Sequence, residues 1–219
     1  MIMSHPKTNR SKKPKAAGFA QDESGSTLVE FAIVMPIFLL IFLGLIDFGR
    51  LGFEYVMANK AMQMAARIAV ARPPACAGVP QINARGAVPV GSVPPYFGTN
   101  CRAGATVCAA PATVTCAGNV TNATVAEIWT TLSPLMPAGS QASNLQFSYA
   151  YNRDLGFLGG PYVPMVTVQI QNLNFRFVMP LGQLGALAGS TGTRPPGTLP
   201  FPPLSVSLPA EDLALGEAG

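Results

Sequence analysis

The sequence has 219 residues, of which 49% are hydrophobic and only 11% are charged, whereas roughly 25% is usual for a soluble domain. The net charge of +4 is concentrated in residues 1–25, which hold five basic and two acidic residues; the rest of the chain holds nine basic and eight acidic residues and is nearly neutral. Because phosphate binding needs a concentrated basic face, this distribution excludes nucleic acid as the partner of the main domain.

The chain begins with this basic leader, residues 1–25, and an apolar run follows from Leu28 to Ile46. As a helix, the 19 residues of the run extend about 28 Å, which matches the hydrocarbon core of a bilayer. The run is longer than the apolar part of a signal peptide and no A-x-A pattern follows it, and so small a domain could hardly enclose it as a core helix. We expect a retained anchor, with the leader cytoplasmic and the remainder exported.

Glu30 places a carboxylate near the start of this apolar run. One explanation is local: Thr27 and Glu30 fit the S/T-x-x-E pattern of a capping box, in which Thr27 is the N-cap and the acid meets the positive end of the helix dipole. Near the membrane interface its desolvation costs less than the ~3 kcal/mol that insertion scales assign to an acid at mid-helix. Capping alone could therefore explain Glu30.

A second explanation comes from the string GSTLVEFAIVMPIFLLIFLGLIDFGR, residues 25–50, which resembles the TadE-like family of tight-adherence (Flp) pilus assembly proteins. The similarity extends to about Val70, and beyond it the resemblance is only architectural. The residues that carry it form a processing site, a mid-span proline and a membrane-exit motif, namely Gly25, Ser26, Glu30, Phe31, Pro36, Asp47, Phe48, Gly49 and Arg50. Pro36 is expected to kink or loosen the span.

The resemblance implies that a prepilin peptidase cuts after Gly25 on the cytoplasmic side, so that Ser26 becomes the new N-terminus. The new α-ammonium would compensate Glu30 within one subunit or between neighbours and help to set the axial register on assembly. Glu30 could also cap before cleavage and pair afterwards. Further implied partners are other pilins or pseudopilins, the pilus assembly platform of the bacterial inner membrane and the lipid bilayer, with the C-terminal domain in the periplasm.

The helical pattern continues beyond the span. Residues 47, 50 and 54 have the i,i+3 and i,i+4 spacing of a surface ion-pair chain. Apolar residues at a 3.6-residue period predict that the helix becomes the spine of the exported domain; they are Leu51, Tyr55, Ala58, Met62, Ala65 and Ala69. Pro73 and Pro74 end the helix.

All four cysteines lie in a Pro/Gly-rich region, at Cys76, Cys101, Cys108 and Cys116. An even, clustered set in an oxidising compartment predicts two disulfides, with three possible connectivities. Zinc is the alternative, but no C-x-x-C pair and no nearby histidine supports it.

The C-terminal half predicts a short helix over residues 123–132, with Asn122 as N-cap, followed by alternating strands near 145–151, 166–170 and 173–177. A bend at 171–172 would restore one buried face, because the last two strands have opposite phases. Residues 204–208 suggest an edge strand. The fold class is therefore α+β: a long N-terminal helix, transmembrane in its first half, with a small antiparallel sheet and a disulfide-stapled loop-rich region on the exported side.

Five regions follow from this pattern: 1–25 as leader, 26–72 as long helix, 73–122 as Cys/Pro/Gly-rich loops, 123–188 as short helix and strands, and 189–219 as Pro/Gly linker and C-terminal strand and tail. The only histidine, His5, lies in the leader, which removes His-dependent catalysis from a mature chain. An enzyme would need the carboxylates of Glu127 and Asp154. We expect no enzyme, cofactor or metal, but a pseudopilin-like component; an unassembled envelope scaffold or surface-binding protein is the alternative.

Overall fold

The computed structural model describes residues 23–178, 198–211 and 213, with side chains from residue 27 onward. Residues 1–22 of the predicted basic leader, which include His5, lie outside the described residues, as do the end of the strand region, residues 189–197 of the predicted linker and most of the tail. The helices and strands, in chain order, are α1 Glu23–Val70, β1 Val114–Ala117, α2 Ala123–Leu132, β2 Leu145–Ala150, β3 Met165–Ile170, β4 Asn174–Arg176, β5 Thr198–Pro200 and β6 Ser205–Pro209. This content confirms the predicted α+β class.

The chain divides into two compact units, Met1–Leu45 and Ile46–Gly219. In the first unit, the described residues form the N-terminal part of α1. Pro36 lies inside this helix, which runs through it as continuous α-helix. The helix already includes residues that precede Thr27. The prediction that Thr27 is the N-cap is therefore wrong, because an N-cap residue stands at the helix boundary.

In the second unit, β1, β2, β3 and β6 form a four-stranded antiparallel sheet in the order β1-β2-β3-β6. Between the central strands, Phe147 lies opposite Val168 and Tyr149 lies opposite Val166, and all four side chains are buried. The predicted alternation is confirmed, because successive side chains of a strand point to opposite faces. The predicted edge strand is also confirmed: it is β6, which pairs with β3.

A bend separates β3 from β4, where the sequence changes phase. Asn172 has a positive φ of 52°, a left-handed conformation in which Asn is among the few side chains that are tolerated. After the bend, Leu173 and Phe175 are buried, as the phase change predicted. Strand β4, however, leaves the first sheet and pairs with β5 in a second, two-stranded sheet. Strand β5 lies within the predicted linker.

The main core brings together the last part of α1, helix α2 and the inner face of the sheet. The face of α1 that is buried in this core is rich in alanine, whose small side chain allows close packing. Its buried residues are Ala58, Ala61, Met62, Ala65, Ala66, Ala69 and Val70. Leu51 packs against this core, whereas Tyr55 is 37% exposed. The last part of α1 is thus the spine of the folded domain, as predicted.

Two disulfides staple the loop region. Cys76 bonds to Cys116 across a sequence separation of 40, and Cys101 bonds to Cys108 across a separation of 7. The zinc alternative is wrong, since all four thiols are consumed. In the chain-entropy model these loops correspond to about 4 and about 2.5 kcal/mol of stabilisation.

The second disulfide forms a smaller core with Val107 and Leu158. We call this part of the second unit, residues 81–109 and 151–162, the disulfide lobe. Backbone hydrogen bonds hold its two segments together: Leu158 N donates to Thr99 O over 2.8 Å, and Asn83 N donates to Gly160 O over 2.9 Å.

Candidate membrane anchor and exit motif

The predicted processing site lies at the start of the described chain. Gly25 and Ser26 fall within the first turns of α1. Glu30 and Phe31 follow on the same helix with exposed side chains, 59% for Phe31. Because α1 continues without interruption to Val70, a cut after Gly25 would leave the apolar segment covalently joined to the folded domain.

The apolar part of α1 can cross a membrane. The described helix from Thr27 to Val70 has the length and composition for it, and none of its apolar window is buried inside the protein. Both predicted ends of the span are exposed, Leu28 at 71% and Ile46 at 45%. A helix that forms the core of a soluble domain would bury these residues. The segment is therefore consistent with membrane anchoring.

The exit motif begins with a buried carboxylate. Asp47 is 2% exposed and its Oδ1 lies 3.4 Å from Arg50 Nη1, while Arg50 Nη2 lies 3.4 Å from Glu54 Oε1. The predicted ion-pair chain is therefore confirmed, but its first member is not at the surface. The backbone N–H of Val178 donates to the same Asp47 oxygen over 3.2 Å. The carboxylate thus joins α1 to the chain that follows β4.

Aromatic contacts reinforce this junction. The Phe48 ring lies edge-on to Phe177, with ring centroids 5.9 Å apart, and Phe177 lies edge-on to Phe175 at 5.2 Å. The Arg50 guanidinium lies 5.5 Å from the centre of the Phe175 ring, within cation–π range. Gly49 is different, because a Cβ at this position would meet no atom within 4 Å; packing within the chain does not explain this glycine.

A second junction fastens the end of α1 to α2. Arg72 makes a bidentate pair with Glu127, with nitrogen–oxygen distances of 2.9 and 3.1 Å. The hydrogen bond with Arg72 lowers the pKa of the Glu127 carboxyl and raises that of the guanidinium. Thr124 Oγ1 donates to Pro73 O over 2.7 Å, and Asn122 is the predicted N-cap, its side chain accepting from Val125 N over 3.1 Å.

The Arg72–Glu127 pair could not be found from the sequence, because 55 positions separate its members. Its only signals were two opposite charges near the ends of predicted helices. The pair also bears on the enzyme alternative, because both carboxylate oxygens of Glu127 accept from Arg72 and the pKa of the carboxyl is lowered. Asp154, the other candidate, lies in a turn where its N–H donates to Asn152 Oδ1. Among the described residues, no cluster of three or more His, Cys, Asp or Glu side chains could hold a metal ion.

Comparison with known families bears on the N-terminal segment. Residues 25–67 match the family described as TadE-like protein. No curated protein and no solved structure shows significant similarity to the chain. The TadE-like family takes part in pilus assembly and is not known as an enzyme family. The resemblance seen in the sequence is therefore confirmed for residues 25–67, which are similar to the TadE-like family.

Proposed function

We propose that this protein is a membrane-anchored, pseudopilin-like component of the tight-adherence (Flp) pilus assembly and secretion system. The observation that supports it most directly is the extent of the family match, which begins at Gly25, the residue before the proposed cut. The same match continues through the exit motif into the helix face that forms the core of the domain. The family likeness thus covers both the anchor and its attachment to the folded part.

The proposed maturation is a cut after Gly25 by a prepilin peptidase. It removes the basic leader and exposes an α-ammonium at Ser26, four residues before Glu30. Opposite charges at an apolar boundary stabilise one another, so the cut supplies a counter-charge for the acid. The position of Thr27 inside α1 supports this explanation of Glu30, because capping by Thr27 no longer accounts for it.

The proposed mechanism is structural rather than enzymatic. The span packs laterally among the helices of other pilins or pseudopilins at the inner-membrane assembly platform, and the C-terminal domain remains in the periplasm. The Asp47 and Phe48 contacts keep the domain fixed to its helix while the helix is moved. Chemical energy and peptide cleavage come from partner proteins.

The test is the intact mass of the protein recovered from membranes of cells with and without the peptidase. We expect a mature chain that begins at Ser26 only when the peptidase is present. Gly25→Val should block the cut, because a branched side chain replaces a hydrogen at the cleaved residue. Gly49→Val is the matched control, since this glycine of the same helix has open space around it. A chain that keeps Met1 with the peptidase present, or that begins beyond Ile46, contradicts the proposal.

An envelope scaffold that never leaves the bilayer is the alternative assignment. Fractionation separates the two: recovery in sheared pili supports incorporation into the fibre. Recovery of the processed chain in the inner membrane alone supports the scaffold.

A further inference from the structure

The disulfide lobe carries an exposed apolar loop, residues 87–98, with the sequence AVPVGSVPPYFG and no charged side chain. Its large side chains point to solvent: Val90 is fully exposed, Val93 and Tyr96 are each 78% exposed, and Phe97 is 73% exposed. Monomeric soluble proteins rarely expose so many neighbouring apolar side chains without a binding role. We call residues 87–98 the apolar loop.

The apolar loop is held in place where it joins the lobe. Gly98 N donates to Leu158 O over 2.9 Å, and the Phe97 ring lies directly on Gly159. A Cβ at Gly159 would come within 2.5 Å of that ring, and the residue has a φ of +82°. Both facts favour glycine at this position. These contacts hold the apolar loop in its exposed conformation. Because the loop is already ordered, binding costs less conformational entropy.

The charges of the disulfide lobe have one predominant sign, and one of them lies beside the apolar loop. The Arg85 guanidinium lies 5.0 Å from the centre of the Phe97 ring, and Arg153 Nη2 donates to the backbone oxygen of Arg102 over 3.3 Å. These three exposed arginines share the lobe with a single acid, Asp154. Within the described ranges, none of the three forms an ion pair within 4.0 Å. Basic side chains beside an apolar tip are complementary to an anionic interface.

We propose that the apolar loop docks into the interfacial region of an anionic lipid bilayer, with Val90 and Val93 among the acyl chains and the arginines at the lipid phosphates. Aliphatic tips with aromatic residues at headgroup level and basic residues behind them are the composition of interfacial anchors. A carbohydrate would instead need many polar partners, which the loop lacks. The membrane-spanning capacity of α1 adds a further reason, because an anchored domain meets lipid at high effective concentration. The inference requires only the anchor and is independent of pilus assembly.

The test uses the full chain in vesicles of phosphatidylcholine with brominated acyl chains, with or without phosphatidylglycerol. Tyr96→Trp adds an indole at the apolar loop beside the single native tryptophan, Trp129. We expect the added fluorescence to be quenched in vesicles that contain phosphatidylglycerol and much less in phosphatidylcholine alone. Val120→Trp is the matched control, since this valine is 53% exposed and lies outside the lobe; its indole should stay unquenched.

Two changes in the Tyr96→Trp background separate the electrostatic contribution to lipid docking from the apolar contribution. Arg85→Gln should lower the ratio of docked to undocked loop about fivefold, which corresponds to roughly 1 kcal/mol per basic side chain at an anionic surface. The double change Val90→Ser with Val93→Ser should lower it by about tenfold through lost apolar burial. Quenching that ignores lipid charge, or that persists in the serine variant, overturns the proposal. So does an indole that loses exposure only when a protein from a cell extract is added, because the loop would then be a protein interface.

Discussion

Asp47 makes a buried polar contact between α1 and the chain that follows β4, within the second unit. It is almost fully buried, accepts from Val178 N and lies beside Arg50. We expect Asp47→Ala to lower the free energy of unfolding of the domain by about 1–3 kcal/mol, because a backbone donor loses its acceptor. Chemical denaturation in detergent, followed by the fluorescence of Trp129, measures this, since Trp129 packs against the main core.

Glu54→Ala is the control for this change. It removes the other carboxylate that pairs with Arg50. The Arg50 side chain is 40% exposed, and ion pairs with such an exposed member contribute about 0–1 kcal/mol to stability. If Glu54→Ala lowers the free energy of unfolding as much as Asp47→Ala does, the ion pairs of Arg50 stabilise the domain and the Val178 contact does not. The i,i+3 and i,i+4 spacing predicted both ion pairs because helix geometry is local. The Val178 contact spans 131 positions and leaves no local pattern.

At the scale of elements, the junction between α1 and α2 predicts a dependence of stability on pH. The Arg72 hydrogen bond holds the pKa of Glu127 in the folded protein below its ordinary value of 4.5. The pair's contribution is therefore complete above that value and is lost as the pH falls through the lowered pKa. The raised pKa of Arg72 lies far above this range and adds no acidic dependence. We expect the denaturation midpoints of wild type and Glu127→Gln to differ modestly at neutral pH and to converge on acidification.

Two further variants make this comparison decisive. Arg72→Gln should remove the same acid-sensitive part of the stability as Glu127→Gln, because each change breaks the Arg72–Glu127 pair. Asp154→Asn, which neutralises an exposed acid of the disulfide lobe, should leave that part in place. If the difference in denaturation midpoint between wild type and Glu127→Gln stays constant down to strongly acidic pH, the ion pair is not the cause of that difference.

The elements themselves were predictable to different degrees. The α1 spine, α2 with its Asn122 cap and strands β2, β3 and β6 follow from periods of 3.6 or 2. Strand β5 has three residues in a Pro-rich stretch, too few to show a period. The separation of β4 into a second sheet depends on its pairing with β5, and the cysteine pairing depends on which loops come together. Such distant pairings are set by tertiary packing. Patterns in a single sequence could therefore suggest the bend after β3 but not the pairing of β4 with β5 that follows it.

At the scale of the whole molecule, one helix has two kinds of surface. Residues 28–46 are exposed and apolar, whereas residues 58–70 bury an alanine-rich face in the main core. Lipid tolerates large side chains all round a helix, while close packing against a sheet favours small ones on one face. The change from large to small apolar residues along α1 is therefore consistent with two environments, lipid around residues 28–46 and the main core around residues 58–70. The acid at position 30 lies in the first of these segments.

Glu30→Ala tests the proposed role of that acid in assembly. If the carboxylate pairs with the α-ammonium freed at Ser26, its loss should leave the chain in the membrane and processed, but should strongly reduce the yield of assembled pili. Thr27→Ala is the matched control: Thr27 lies inside α1, so its loss should change neither processing nor pilus yield. The measurement is immunodetection of the mature chain in membranes, together with the mass of pili sheared from the cells. Wild-type pilus yield from Glu30→Ala contradicts charge pairing, and an equal defect in Thr27→Ala shifts the cause to the start of the helix.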